Sequence, residues 1–202
     1  YQKHGKWHMD DFELTYDFIN DFDTWLIFFG FWLSDKYSNN TENVVLNCGT
    51  IIIFKHICCV LTKLNYKFDF NEQYEIIIFN KQLFNYIKKN TDKILPHWIW
   101  QLSIRQTQIL LDSILLFIKH NNYNSQILDN IMILALHAGW SADKVFVNNS
   151  WTVQINKTNN YMNENHNTIQ DYSGDIFCLS VPSEIFYVRR NGKCCWTGNS
   201  RA

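Results

Sequence analysis

Apolar residues along the chain gather into two long blocks, WLIFFGFWLS at 25–34 and SIRQTQILLDSILLFIK at 103–119. The first is apolar on every face around a single Gly30, the pattern of a helix buried between neighbours, and Asp35 ends it. A polar loop, KYSNNTEN at 36–43, leads to a short strand VVL at 44–46 and a helix over 50–64 with Ile53, Ile57 and Leu61 on one face. KFDF and YEIIIF read as a hairpin, and KQLFNYIKK at 81–89 resumes a helical period that LPHW breaks at Pro96. The second block repeats the scheme. A long helix over 103–119 is followed by the loop HNNYN and by a helix ILDNIMILALHAG, with Ser125 as its N-cap and Gly139 just past its end. Beyond Ser141 the chain turns to β: WTVQI alternates, an Asn-rich loop follows, and DIFCLSV and EIFYVRR read as strands closed by an Asn-Gly turn at Asn191-Gly192. Residues 1–20 mix charge and aromatics without a period, which predicts a lead-in segment rather than an ordered element.

The amino-acid balance narrows the class. Of 202 residues, 47% are hydrophobic and 18% charged, with two prolines and seven glycines, which excludes disorder and collagen-like repeats and leaves a packed α+β protein. The formal net charge of −1 lacks the basic surplus of a tight nucleic-acid binder, so a DNA-binding role must rest on a local patch. Six cysteines at 48, 58, 59, 178, 194 and 195 form no C-x-x-C spacing. Neither a zinc knuckle nor a redox motif is readable, and reduced, intracellular thiols are expected. The strongly apolar runs are about half the ~20 residues that span a bilayer, so no membrane partner is expected. Tyr1 opens no charged-then-apolar leader, and the chain reads as cut from something longer.

The two apolar helices lie about 80 residues apart, with LPHWIWQLSIRQTQ leading into the second and ILALHAGWSA after it. In this they resemble the LAGLIDADG, or DOD-type, homing endonuclease inserted in inteins. The ending DIFCLSVPSEIFYVRRNGKCCWTGNSRA is similar to an intein's C-terminal splicing region, running up to an Asn-Ser junction. The resemblance implies an α+β fold: a LAGLIDADG-type tandem αββαββα repeat followed by β-strands of the C-terminal half of a Hint domain. It divides the chain into a lead-in at 1–20 from an upstream splicing region, an endonuclease-like domain at 21–145, a C-terminal splicing region at 146–199 and downstream host residues at 200–202.

In the family, two such helices pack side by side and each delivers an acid from its C-terminal end to metal ions and the scissile phosphates. Close packing needs small residues at the crossing, and Gly30 and Ser113 each lie five residues before the position where the acid belongs. Asp35 holds that position in the first helix. A carboxylate there faces the negative end of the helix dipole and makes sense as a divalent-metal ligand. In the second helix the position is Ile118, so the acid is lost and a decayed nuclease is expected. Asp112 cannot replace it, lying six residues and about 9 Å back along the helix. Lys93 resembles a lysine that often sits near the family's active site, and Mg2+ is the implied cofactor if nuclease activity survives.

In the splicing reaction, the last insert residue attacks its own backbone carbonyl through its side-chain amide, forms a succinimide and releases the downstream segment, without a cofactor. The resemblance assigns that role to Asn199, the acceptor nucleophile to Ser200, and a place near the catalytic centre to Cys178. Gly198 stands where many inteins carry a histidine, which implies slow cyclisation. Arg189 and Arg190 read as a solvated strand edge. The implied partners are an upstream intein region and the flanking host protein in cis, with double-stranded DNA in addition. Two other readings stay open at this point: a non-catalytic scaffold or DNA-binding remnant, and an active site-specific DNA endonuclease.

Overall fold

A computed structural model of the chain describes residues 2–3, 6–9, 12–14, 19–34, 43–89, 95–118, 125–147, 149–158, 169–175, 177 and 179–198. The chain opens with an antiparallel meander of β1 (Gln2–Lys3), β2 (Lys6–Met9) and β3 (Phe12–Leu14). The expected unordered lead-in is therefore corrected. Strands of two to four residues are too short for alternation to register in the sequence.

Helix α1 (Ile19–Ser34) is the axis of the core: Trp25, Leu26, Phe28, Phe29 and Trp32 are at most 1% exposed. Its all-round apolarity is matched by neighbours on every side. Next come β4 (Val44–Asn47), α2 (Ile51–Lys63), β5 (Phe68–Phe70), β6 (Glu75–Ile78), α3 (Lys81–Lys89) and a 3-10 turn at His97–Gln101. Thr50 caps α2, its hydroxyl accepting from the Ile53 N–H at 3.4 Å. The three strands form an antiparallel sheet in the order β4-β6-β5, registered at Val44↔Ile78 and Phe68↔Ile78. Alternation turns Val44, Leu46, Ile76 and Ile78 into the core. Tyr86 of α3 and Trp98 of the 3-10 turn close an aromatic wall, joined by a 3.1 Å hydrogen bond from Trp98 Nε1 to the Tyr86 hydroxyl and flanking the Trp25 and Phe29 rings.

The second half runs α4 (Ile104–Ile118), α5 (Ser125–His137), β7 (Ser141–Val147) and β8 (Ser150–Asn156). Among the described residues one strand stands between α1 and α2 and none between α4 and α5, where the αββαββα expectation has two in each. The runs at 35–42 and 119–124 lie outside the described residues. The α5 helix starts at Ser125 itself rather than after it. It ends in a Schellman closure around Gly139 at φ +75°, with Trp140 N–H donating to the Ala135 carbonyl and Gly139 N–H to that of Leu136. The antiparallel β7–β8 hairpin follows at once, and the expected domain boundary at 145/146 falls inside β7.

The last hairpin is β9 (Ile185–Arg190) with β10 (Lys193–Gly198), in full register from Arg190↔Lys193 to Ile185↔Gly198. Asn191 and Gly192 both take positive φ, 51° and 79°, the signature of a two-residue type I′ turn. Such a turn joins only the strands flanking it. EIFYVRR therefore pairs with KCCWTG and not with DIFCLSV, whose described residues 175, 177 and 179–181 lie outside any strand. Among the described residues no helix is long and apolar enough to cross a membrane. At Gly139 an alanine has open space but must hold φ +75°, so Gly139→Ala should destabilise the fold by about 1 kcal/mol, read by urea denaturation.

Candidate functional site

The closest helix crossing is between α1 and α4. A Cβ placed on Gly30 would lie 2.7 Å from Ser113 Cβ and 3.0 Å from the Leu110 carbonyl oxygen, so glycine is what lets the backbones approach. That approach is fixed by hydrogen bonds across the seam. Ser113 Oγ donates to the Ile27 carbonyl at 2.7 Å, and Ser34 Oγ lies 2.8 Å from its own Gly30 carbonyl and 3.2 Å from the Ile114 carbonyl of α4. Each buried serine hydroxyl thereby finds an acceptor that it would otherwise lack. Contacts advance in the same direction along both chains. Asp23 pairs with Arg105 at the N-terminal ends, and the Phe31 and Phe117 rings meet edge-on at 4.6 Å near the C-terminal ends. The helices are therefore parallel, their negative dipole ends side by side at Ser34 and Ile118, where a cation is favoured.

The structure brings Gly30 and Ser113 together. Asp35, Lys93, Cys178, Asn199 and Ser200 lie outside the described residues, and Ile118 closes α4 with its side chain outside them. Asp112 is exposed and pairs with Lys157 at 2.7 Å, turned away from the seam. Among the described residues no three His, Cys, Asp or Glu side chains are grouped to hold a metal. His56 of α2 is a flanking residue that periodicity did not single out; its ring is 6.4 Å from that of Phe117.

A second arrangement, not legible in the sequence, joins the last hairpin to the helical body. Asp129 of α5 accepts from Lys144 Nζ of β7 at 2.9 Å and from Arg189 Nη1 of β9. Lys193 of β10 reaches Asp143 of β7 at 2.8 Å, and the Lys144 N–H donates to the Gly192 carbonyl at 2.9 Å. A Cβ on Gly192 would run into the Lys144 carbonyl. Burial pushes the Asp129 carboxyl up, but the hydrogen bonds and charges of Arg189 and Lys144 outweigh it and hold it below the ordinary value. The hydrogen bond to Asp129 in turn raises Arg189. Arg189 is exposed on its strand, as expected, but it is also paired: strand periodicity reveals a face, not the acid on another element that meets it. Across from Arg189 on β10, Cys194 is buried, and burial pushes its thiol up.

No protein-family model matches the chain. Over an alignment of 261 residues spanning 89% of the chain, it is 27% identical to the DNA-directed RNA polymerase subunit beta C-terminal section of Stigeoclonium helveticum, covering 24% of that protein. Over 145 residues spanning 59% of the chain, it is 27% identical to the ATP-dependent Clp protease proteolytic subunit of Chlamydomonas moewusii, covering 14%. The chain thus spans about a quarter and a seventh of the curated relatives it matches. It is similar in structure to I-DmoI in complex with its target DNA in the presence of 2 mM Mn, in one case with the DNA nicked in the coding strand. The TM-scores are 0.49 and 0.45 at 13% and 15% identity, over 68% and 67% of this chain and 90% and 87% of the other.

The seam makes a direct prediction. Gly30→Ala should gain up to about 1 kcal/mol of helix propensity but lose about 1–3 kcal/mol to overpacking against Ser113, a net destabilisation in urea. Adding Ser113→Gly removes the colliding atoms and should recover part of the loss.

Proposed function

We propose that the chain is the C-terminal part of a protein-splicing insert whose homing-endonuclease-like body no longer makes double-strand breaks. One observation carries the reading: the same chain matches a polymerase subunit and a protease subunit, proteins of unrelated work, each over a small share of its length. A segment common to two such hosts behaves as a mobile insert, and an insert within a polypeptide must leave if the host is to work. The tail residues Asn199 and Ser200 supply that exit in this reading.

The chemistry needs no external group. Ser200 Oγ would first take the upstream host acyl group from an ester or thioester on the insert's first residue, the bond there breaking and the hydroxyl proton passing to the oxygen or sulfur that leaves. The Asn199 side-chain nitrogen then attacks its own carbonyl carbon, closing a five-membered succinimide while the bond to Ser200 breaks and the proton passes to the departing Ser200 amine. The amide is a poor nucleophile, so placement and carbonyl polarisation must supply the rate. The β9–β10 hairpin is what the chain offers for placement: β10 ends at Gly198, paired with Ile185, one residue before Asn199.

For the body, the parallel α1–α4 seam supports the likeness to an endonuclease and the unequal helix ends support its decay. Metal-assisted cleavage of both strands draws on acids from two helices, and here one helix ends in isoleucine. Purified protein with magnesium should therefore make no double-strand break; efficient cutting of both strands at any defined site would overturn the decay, and Ile118→Asp is the substitution expected to restore cutting if anything does.

For the tail, Asn199→Ala should abolish release at the Asn199-Ser200 bond in the complete precursor, and release that persists would exclude cyclisation at Asn199. A Cβ built on Gly198 first meets the Glu184 carbonyl oxygen at 3.4 Å, an ordinary contact, so the backbone admits a side chain there. Gly198→His should then speed release by about tenfold or more as a proton donor beside the scissile carbonyl, followed by mass spectrometry.

A further inference from the structure

We propose that Asp129, Asp143 and Lys144 form a seat that orients the C-terminal hairpin, making the helical body a positioning element for cleavage at Asn199 and more than a passenger between the splicing segments. This rests on reading the tail as a splicing junction. The seat is built from two elements of the body, α5 and β7, and is met by both strands and the turn of the hairpin. Each link alone is weak: Arg189 is 42% exposed and Lys193 66% exposed, and exposed ion pairs contribute little. Their arrangement is what matters. Asp129 is shared between a cation of the body and one of the hairpin, the Lys144 backbone binds the turn directly, and Gly192 alone permits that approach at φ +79°. Tyr187 and Cys194, on the same hairpin face as Arg189, join the apolar core.

The geometry converts this seat into leverage. It grips the turn end of the hairpin, and the junction lies just past the opposite end of β10, a six-residue strand of about 20 Å. A tilt of about 10° at the seat moves the far end by about 3.5 Å; the Asn199 amide and its own carbonyl move together, so what is misplaced is that residue against the groups of the completed splicing region that polarise the carbonyl, where roughly 1 Å can cost a hundredfold. Loosening the seat should therefore slow cyclisation even where the body stays folded.

The test uses the complete precursor, this chain continuous with its upstream coding sequence, and the variants Asp129→Asn, Arg189→Gln and their double. Three readouts are followed: release at Asn199-Ser200 by mass spectrometry, hydrogen exchange of amides 185–198, and exchange in α1 and α4. The expected result is release slowed about tenfold or more in each single variant, little further loss in the double, faster exchange in the hairpin and unchanged exchange in the helices. Unchanged hairpin exchange, or faster exchange with an unchanged release rate, overturns the proposal. A wild-type precursor that yields no succinimide-ended fragment refutes the splicing reading instead. In that case hairpin exchange alone decides the seat, faster exchange in the variants supporting it and unchanged exchange overturning it.

Discussion

The close approach of α1 and α4 at Gly30 and Ser113 is the constraint on which the rest depends. With no side chain on Gly30, the seam admits Ser113, whose hydroxyl then reaches the Ile27 carbonyl, and it allows Ser34 to reach across to Ile114. Because the helices are parallel, one contact fixes two ends at once. The aromatic residues of α1 are buried in the same packing, with Tyr86 and Trp98 against the Trp25 and Phe29 rings. What the paired ends can do is decided by the residues at and just beyond them, Asp35 after α1 and Ile118 at the end of α4.

Much of this was legible in the sequence because the long helices are read by periodicity over many residues. The apolar runs at 25–34 and 103–119 mark α1 and α4, although α1 begins six residues earlier, at Ile19, and the spacing that pairs Gly30 with Ser113 comes from the same register. Short elements escaped. The β1–β3 meander has too few residues per strand to show a period, and β7 begins two residues past the helix-ending Gly139, where its alternation is masked by the end of α5. The Asn191-Gly192 turn was identified by its dipeptide, but its partner strand was misplaced because KCCWTG lacks the β-branched run that marks EIFYVRR. The seat around Asp129 could not be read at all, since its cations come from residues 15 and 60 positions away along the chain.

The two chemistries that the sequence resembles are thereby tied into one body. In the proposed reading the parallel helices carry the endonuclease likeness and the hairpin seated on α5 and β7 carries the splicing tail. An insert that no longer cuts would then still have a use for its helical core, as support for the hairpin leading to the junction.

The most direct measurement of that role is the intact mass of the products formed when the complete precursor is expressed. The account predicts two species, an excised insert ending at Asn199 and a host chain whose upstream segment is joined to Ser200. A folded precursor that persists at its full mass, with the upstream segment, the insert and the downstream residues still in one chain, would contradict it.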